Sequence, residues 1–200
     1  EYVNKLFSMV QRHLKRKHRF VCFTDDPQGL VSGVEFLPLP MIFVPEERDI
    51  SPWRKVALLN EKLGDLQGKT LFLDLDVIIV DDIDCFFDYS DGFTIIENWT
   101  QLGQGIGNSS VYLFEVGAYA DVSDKYNKEL LTVFDDYTNE QVFISRNIDK
   151  KEFWPESWCK SFKFHAIPRG IMRYFSHPKI PDGCKIMVFH GYPNPDQALI

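Results

Sequence analysis

The segment Lys69-Thr70-Leu71-Phe72-Leu73-Asp74-Leu75-Asp76-Val77-Ile78-Ile79-Val80 sets two carboxylates inside an otherwise apolar run. Read as a central strand of a mostly parallel sheet, it delivers Asp74 and Asp76 at the carboxyl end, where open α/β sheets place their ligands. Side chains two apart face one side of a continuing strand, and in a tight turn they splay around a cation. Carboxylates buried without a partner are costly, so something should compensate them. A divalent metal does so economically: hard oxygen ligands with an open coordination position suit Mg²⁺ or Mn²⁺ bridging to a diphosphate. The plainer alternative is a pair of acids capping backbone amides at a strand end.

The elements that must carry these acids follow from periodicity and punctuation. Tyr2, Val3, Leu6, Phe7, Val10 and Leu14 fall at helical spacing, so the chain opens inside an amphipathic helix, and a strand ahead of it is expected. The cluster Arg12, His13, Lys15, Arg16, Lys17, His18 and Arg19 reads as a solvated helix end, where cations favour the negative end of the dipole. Phe20 to Phe23 is a short buried strand entering the turn Thr24-Asp25-Asp26-Pro27, and Val34 to Leu37 is a second. Ser51-Pro52 supplies an N-cap and first-turn proline for a helix through Leu63, which Gly64 and Gly68 end. Later come a short helix near Ile83 to Phe87, strands near Phe93 to Glu97 and Val111 to Phe114, and helices near Ala118 to Phe134 and Glu140 to Ser145. The last strand is Lys185 to Phe189. This alternation, without repeat or linker, predicts a single α/β domain over residues 1–200.

Composition narrows the function. A chain of 200 residues that is 44% hydrophobic and 14% aromatic buries a sizeable core, which excludes disordered and fibrous classes. A net charge of −7 argues against nucleic acid or an anionic membrane as partner, so an anionic ligand must be met by a metal or a few placed cations. No apolar run is long enough to span a bilayer, and no charged-then-apolar leader pattern is seen. Cys22, Cys85, Cys159 and Cys184 form no Cys-x-x-Cys pair, so the expected setting is reducing and cytoplasmic.

Asp-x-Asp after an apolar strand resembles two families. Asp74-Leu75-Asp76-Val77 fits the haloacid-dehalogenase-like phosphatases, but there the motif lies on the first strand, whereas here a long α/β stretch precedes it. More of the chain resembles the GT-A type nucleotide-sugar glycosyltransferases, especially small bacterial and phage-like members related in layout to the glycogenin-like galactosyltransferases. The similar segments are Glu1 to Leu6, Phe20 to Asp26, Trp53-Arg54-Lys55, Phe72 to Asp76, Asn108-Ser109-Ser110-Val111, Glu140-Gln141 and Phe189 to Pro195, in order nearly end to end. The resemblance implies a GT-A fold with a mostly parallel central sheet flanked by helices, its first strand lying ahead of Glu1. It also implies a sugar donor activated as a nucleoside diphosphate, a UDP-sugar foremost, and a hydroxyl acceptor on a glycan or lipid-linked saccharide.

Residue by residue, the resemblance makes Asp74 and Asp76 the metal motif, with Asp74 also touching the donor, and His190 the ligand arriving from the other end of the chain. Neutral imidazole suits Mn²⁺. Arg54 and Lys55 stand where a basic residue meets the diphosphate, Thr24 and Asp25 near the nucleobase and ribose, and Asn108 and Ser109 at the donor sugar. Gly191 and Lys163 lie beside the phosphates. Glu140 and Gln141 face the anomeric carbon, in place of the usual Asp-Gln. An inverting transfer needs a carboxylate base, Glu140 or Glu97, and a retaining one a polar group such as Gln141. The pattern departs at Tyr192 and Asn194, which hold positions where lysines neutralise the leaving group; Lys160, Lys163 and Arg169 are the candidate substitutes.

Overall fold

The computed structural model describes residues 1–46, 52–168, 170 and 175–198. Ser51, the expected helix cap, and Arg169 lie outside the described residues. In chain order the elements are α1 (Tyr2–His13), β1 (Val21–Phe23), β2 (Glu35–Leu37), a 3₁₀ segment (Pro52–Leu59), β3 (Lys69–Leu73), β4 (Val77–Ile79) and α2 (Cys85–Tyr89). They continue with β5 (Phe93–Glu97), β6 (Gly107–Glu115), α3 (Ala120–Lys128), α4 (Val133–Asp136), α5 (Glu140–Asn147), β7 (Lys151–Phe153) and β8 (Cys159–Ser161). A π-turn (Phe162–Ala166), β9 (Ile186–Val188) and a 3₁₀ turn (Pro195–Gln197) close the chain.

Among the described residues, three sheets have the orders β1-β2, β3-β6-β5-β7 and β4-β9-β8. The pairings β1-β2, β5-β7 and β8-β9 are parallel, while β3-β6, β5-β6 and β4-β9 are antiparallel. The architecture is α/β with a mixed sheet, less parallel than the long apolar runs suggested. Alternation along β3 and β6 separates two cores. Phe72, Tyr112 and Phe114 join Trp53, Tyr126 and Phe143 on one face. Leu71, Leu73, Val111 and Leu113 join Leu6, Val10, Val77 and Ile79 on the other.

The run expected as one strand is two. Leu73 pairs with Val111 in one sheet, and Val77 pairs with Val188 in another. Asp74, Leu75 and Asp76 form the turn between them, so the acids splay instead of sharing a strand face. Leu75, half exposed at the tip, shows why: an apolar pattern cannot report which of its members the chain turns outward.

Two helices also differ from expectation. Residues 52–59 wind as 3₁₀, burying Trp53, Val56, Ala57, Leu58 and Leu59 together. Four of these, Val56 to Leu59, are consecutive, a burial one helical stripe cannot give. The stretch 118–134 breaks into α3 and α4 at Glu129 to Thr132. Of the basic cluster, only Arg12 and His13 belong to the last turn of α1. Beyond it Lys15 pairs with Asp82, Arg16 with Asp84 and Asp88, and Arg19 with Glu35 and Asp65.

Candidate active site at the turn between β3 and β4

The register of β6 builds one wall. Ladder bonding continues past Leu73, with the Asp74 N–H donating to the Ser110 carbonyl at 2.9 Å, so Asp74 lies beside Ser110. At the start of β6 a bulge between Ile95 and Ile96 shifts the pairing with β5. Gly107 is required there, because an added Cβ would lie 2.6 Å from the Ile95 side chain. The Gly107 N–H donates to Ser145 Oγ at 2.8 Å, and the Ser109 N–H to Gln141 Oε1 at 3.0 Å. The Ser109 hydroxyl donates to Glu140 Oε1 at 2.7 Å. Helix α5 is thus fastened to β6 along its length, and Asn139 caps it by accepting from the Val142 N–H.

Lys55 reaches from the 3₁₀ segment into this wall. Its Nζ lies 2.7 Å from Asp74 Oδ2 and 3.3 Å from both the carbonyl and the hydroxyl of Ser109. Both members of the Lys55-Asp74 pair are largely shielded from solvent. Glu140 is 1% exposed, and burial pushes its carboxyl up despite the Ser109 bond; among the described residues its Oε2 has no partner. The Tyr112 hydroxyl is likewise buried without a partner among them.

The other wall is looser. The Phe189 N–H donates to the Asp76 carbonyl, which sets His190 next to the acids along the backbone. The imidazole turns to Ser161, with Nε2 2.6 Å from the hydroxyl, and stacks on Trp99 with ring centroids 5.4 Å apart. Burial, then the charges of Lys163 and His165, hold its pKa below the usual value. Among the described residues Asp76 makes no ion pair; burial and the neighbouring Asp74, partly offset by the Lys55 charge, push its pKa up to about 6. Among the described residues, too, no three His, Cys, Asp or Glu side chains are gathered at metal-binding spacing.

The remaining expected residues spread around this centre. Arg54 is exposed and lines a cavity of about 620 Å³ together with Lys55, Phe23, Leu73 and Asp74. Thr24 and Asp25 stand just past the end of β1, where the Thr24 hydroxyl closes a turn with Asp26. Asn108 spends its Oδ1 on the Ser110 N–H. Gly191 is exposed with φ +74°, and Lys163 is exposed on the π-turn. Lys160 is bound to Glu156, Asn194 caps the last 3₁₀ turn, and Glu97 accepts from the Gly103 N–H. Sequence reasoning passed over Trp99 and the hold of Ser161 on His190. The segment Trp158 to Lys163 carried the only signal, and it drew attention to lysines instead.

No family model matches the chain, and no curated protein matches it. Solved structures do. A galactosyltransferase, LgtC, in complex with donor and acceptor sugar analogs matches at 14% identity with TM-score 0.64, over 97% of this chain and 84% of that one. An active-site mutant of LgtC matches equally. The glycosyltransferase GlyE of Streptococcus pneumoniae matches at 15% identity with TM-score 0.60, over 100% of this chain and 58% of that one. The chain has the GT-A glycosyltransferase fold.

Proposed function

We propose that the chain is a metal-dependent glycosyltransferase, moving a sugar from a nucleoside diphosphate donor, a UDP-sugar foremost, to a hydroxyl of a glycan or lipid-linked saccharide. The observation carrying this reading is the convergence of Asp74, Lys55, Ser109 and Gln141 beside Asp76 at one turn of a GT-A fold. Two carboxylates and an imidazole are donor types that suit a divalent cation, although among the described residues they are not gathered at metal-binding spacing. Asp76 is a half-buried carboxylate without an ion pair among the described residues, and His190 is held towards its neutral form, so Asp74, Asp76 and His190 would hold Mn²⁺ or Mg²⁺. Such an ion, when bound, neutralises charge developing on the leaving diphosphate.

The protein's own groups complete the reading. Arg54 at the cavity rim and Lys163 beside His190 supply cations for the phosphates, together with the Gly191 backbone. Thr24 and Asp25 stand for the nucleobase and ribose, and Asn108 for the donor sugar. Gln141, with Nε2 unengaged among the described residues, presents two N–H donors to the reacting region. All four cysteines are free, in keeping with a reducing, cytoplasmic setting, and among the described residues no helix is long and apolar enough to cross a membrane.

A catalytically silent donor-binding protein is the second reading, favoured by Tyr192 and Asn194 where lysines are expected; Asn194 is already spent as a cap. The GT-A fold favours both over a phosphatase. An assay of UDP or GDP release from a panel of nucleotide sugars, with and without Mn²⁺, separates them. Metal-dependent release that Asp76→Asn abolishes supports the transferase, while binding without release supports the silent protein.

A further inference from the structure

The resemblance puts Glu140 where a carboxylate would face the anomeric carbon, yet its side chain is 1% exposed and enclosed by β6 and α5. We propose that Glu140 is a positioning residue, one that acts through Ser109 to fix Lys55 against Asp74 and to aim Gln141, without itself meeting the sugar. The inference rests on the transferase reading for its catalytic consequence and on the geometry alone for its structural one.

Hydrogen-bond direction gives the argument. Lys55 carries donors only, so the Ser109 hydroxyl accepts from it and must send its own proton elsewhere. Glu140 Oε1, 2.7 Å away, takes that proton. The chain therefore runs one way, from Lys55 to Ser109 to Glu140, and the lone pairs of Ser109 Oγ are left facing the ammonium. The Ser109 N–H needs an acceptor as well, which fixes Gln141 Oε1 towards β6 and turns Nε2 away from it. One serine thus sets the orientation of both groups, and Glu140 sets the orientation of the serine. Glutamate, one methylene longer than aspartate, spans from the first turn of α5 to the β6 hydroxyl.

The test compares wild type, Glu140→Gln and Glu140→Ala by three measurements: Mn²⁺-dependent UDP release from UDP-galactose, the side-chain amide resonances of Gln141, and thermal melting. The amide oxygen introduced by Glu140→Gln accepts the same Ser109 bond, so E140Q is expected to keep kcat within about threefold of wild type and the Gln141 resonances in place. Glu140→Ala is expected to lower kcat by about tenfold to a hundredfold with the donor KM within about threefold, and to move the Gln141 resonances to solvent-averaged values. If the alanine variant melts below the assay temperature, Glu140→Asp replaces it, with the same loss expected from withdrawing the carboxylate. A glutamine variant as inactive as the alanine variant, with one limb of the pH–rate profile gone, would overturn the proposal by putting Glu140 at the reacting atoms. So would Gln141 resonances unmoved by alanine. Absence of UDP release by wild type defeats the transferase reading only, because the Gln141 resonances then decide the positioning role alone.

Discussion

The two walls of the site are built on opposite principles. On the β6-α5 wall, Asp74, Lys55, Ser109, Glu140 and Gln141 are bonded to one another before any ligand arrives, with Glu140 Oε2 and Gln141 Nε2 left over among the described residues. On the β4-β9 wall, Asp76 makes no ion pair among the described residues and feels the Lys55 charge only from a distance, and the His190 ring is engaged by Ser161 and Trp99. Groups that only orient others are held rigidly by bonds within the chain. Of the groups proposed to hold a metal, Asp74 is already paired with Lys55 and Asp76 is not, so bound metal and donor would stabilise the Asp76 wall most.

Breaking the satisfied wall should cost the most. Lys55→Met leaves Asp74 without its cation, and a stability loss of about 2–3 kcal/mol is expected by chemical denaturation, with nucleotide binding lost as well. The under-compensated wall should respond with opposite sign. The folded-state pKa of Asp76 is raised to about 6, so the folded chain holds a proton the unfolded chain releases, and stability falls as pH rises from about 4 to 6. Asp76→Asn is therefore expected to stabilise the metal-free protein at pH 7 by about 1–2 kcal/mol, allowing for solvent screening, while abolishing the proposed metal binding. The same titration sharpens the contrast in binding: Mn²⁺ affinity, followed by calorimetry, should fall about tenfold per pH unit below 6. The smallest effect belongs to a core group beside the satisfied wall. Tyr112→Phe removes a buried hydroxyl that bonds to nothing among the described residues, and its melting curve should shift by no more than about 1 kcal/mol, in the stabilising direction.

The same contrast explains what the sequence made legible. The strand at Phe93 to Glu97 was readable because a buried, β-branched run between turn residues has one reading. The acids at 74 and 76 stood out because charge inside an apolar run demands compensation. Their compensation was less legible: the Lys55-Asp74 pair depends on a 3₁₀ segment that buries four consecutive residues, and 3.6-residue periodicity does not describe it. Two short strands and the start of a longer one were also beyond pattern reading, since Lys151–Phe153, Cys159–Ser161 and the early half of β6 mix polar with apolar residues. Glu140 looked like a reacting group in the sequence because residue type reports chemistry and leaves out enclosure; Ser109 and the docking of α5 make it a support.

The central claim is that this turn is a metal-dependent donor site, and calorimetric titration of UDP into the purified protein tests it most directly. With Mn²⁺ present, the wild type should bind UDP at least about tenfold more tightly than without it, and Asp76→Asn should erase that difference. Equal UDP affinity with and without Mn²⁺, or no binding in either condition, would contradict the claim.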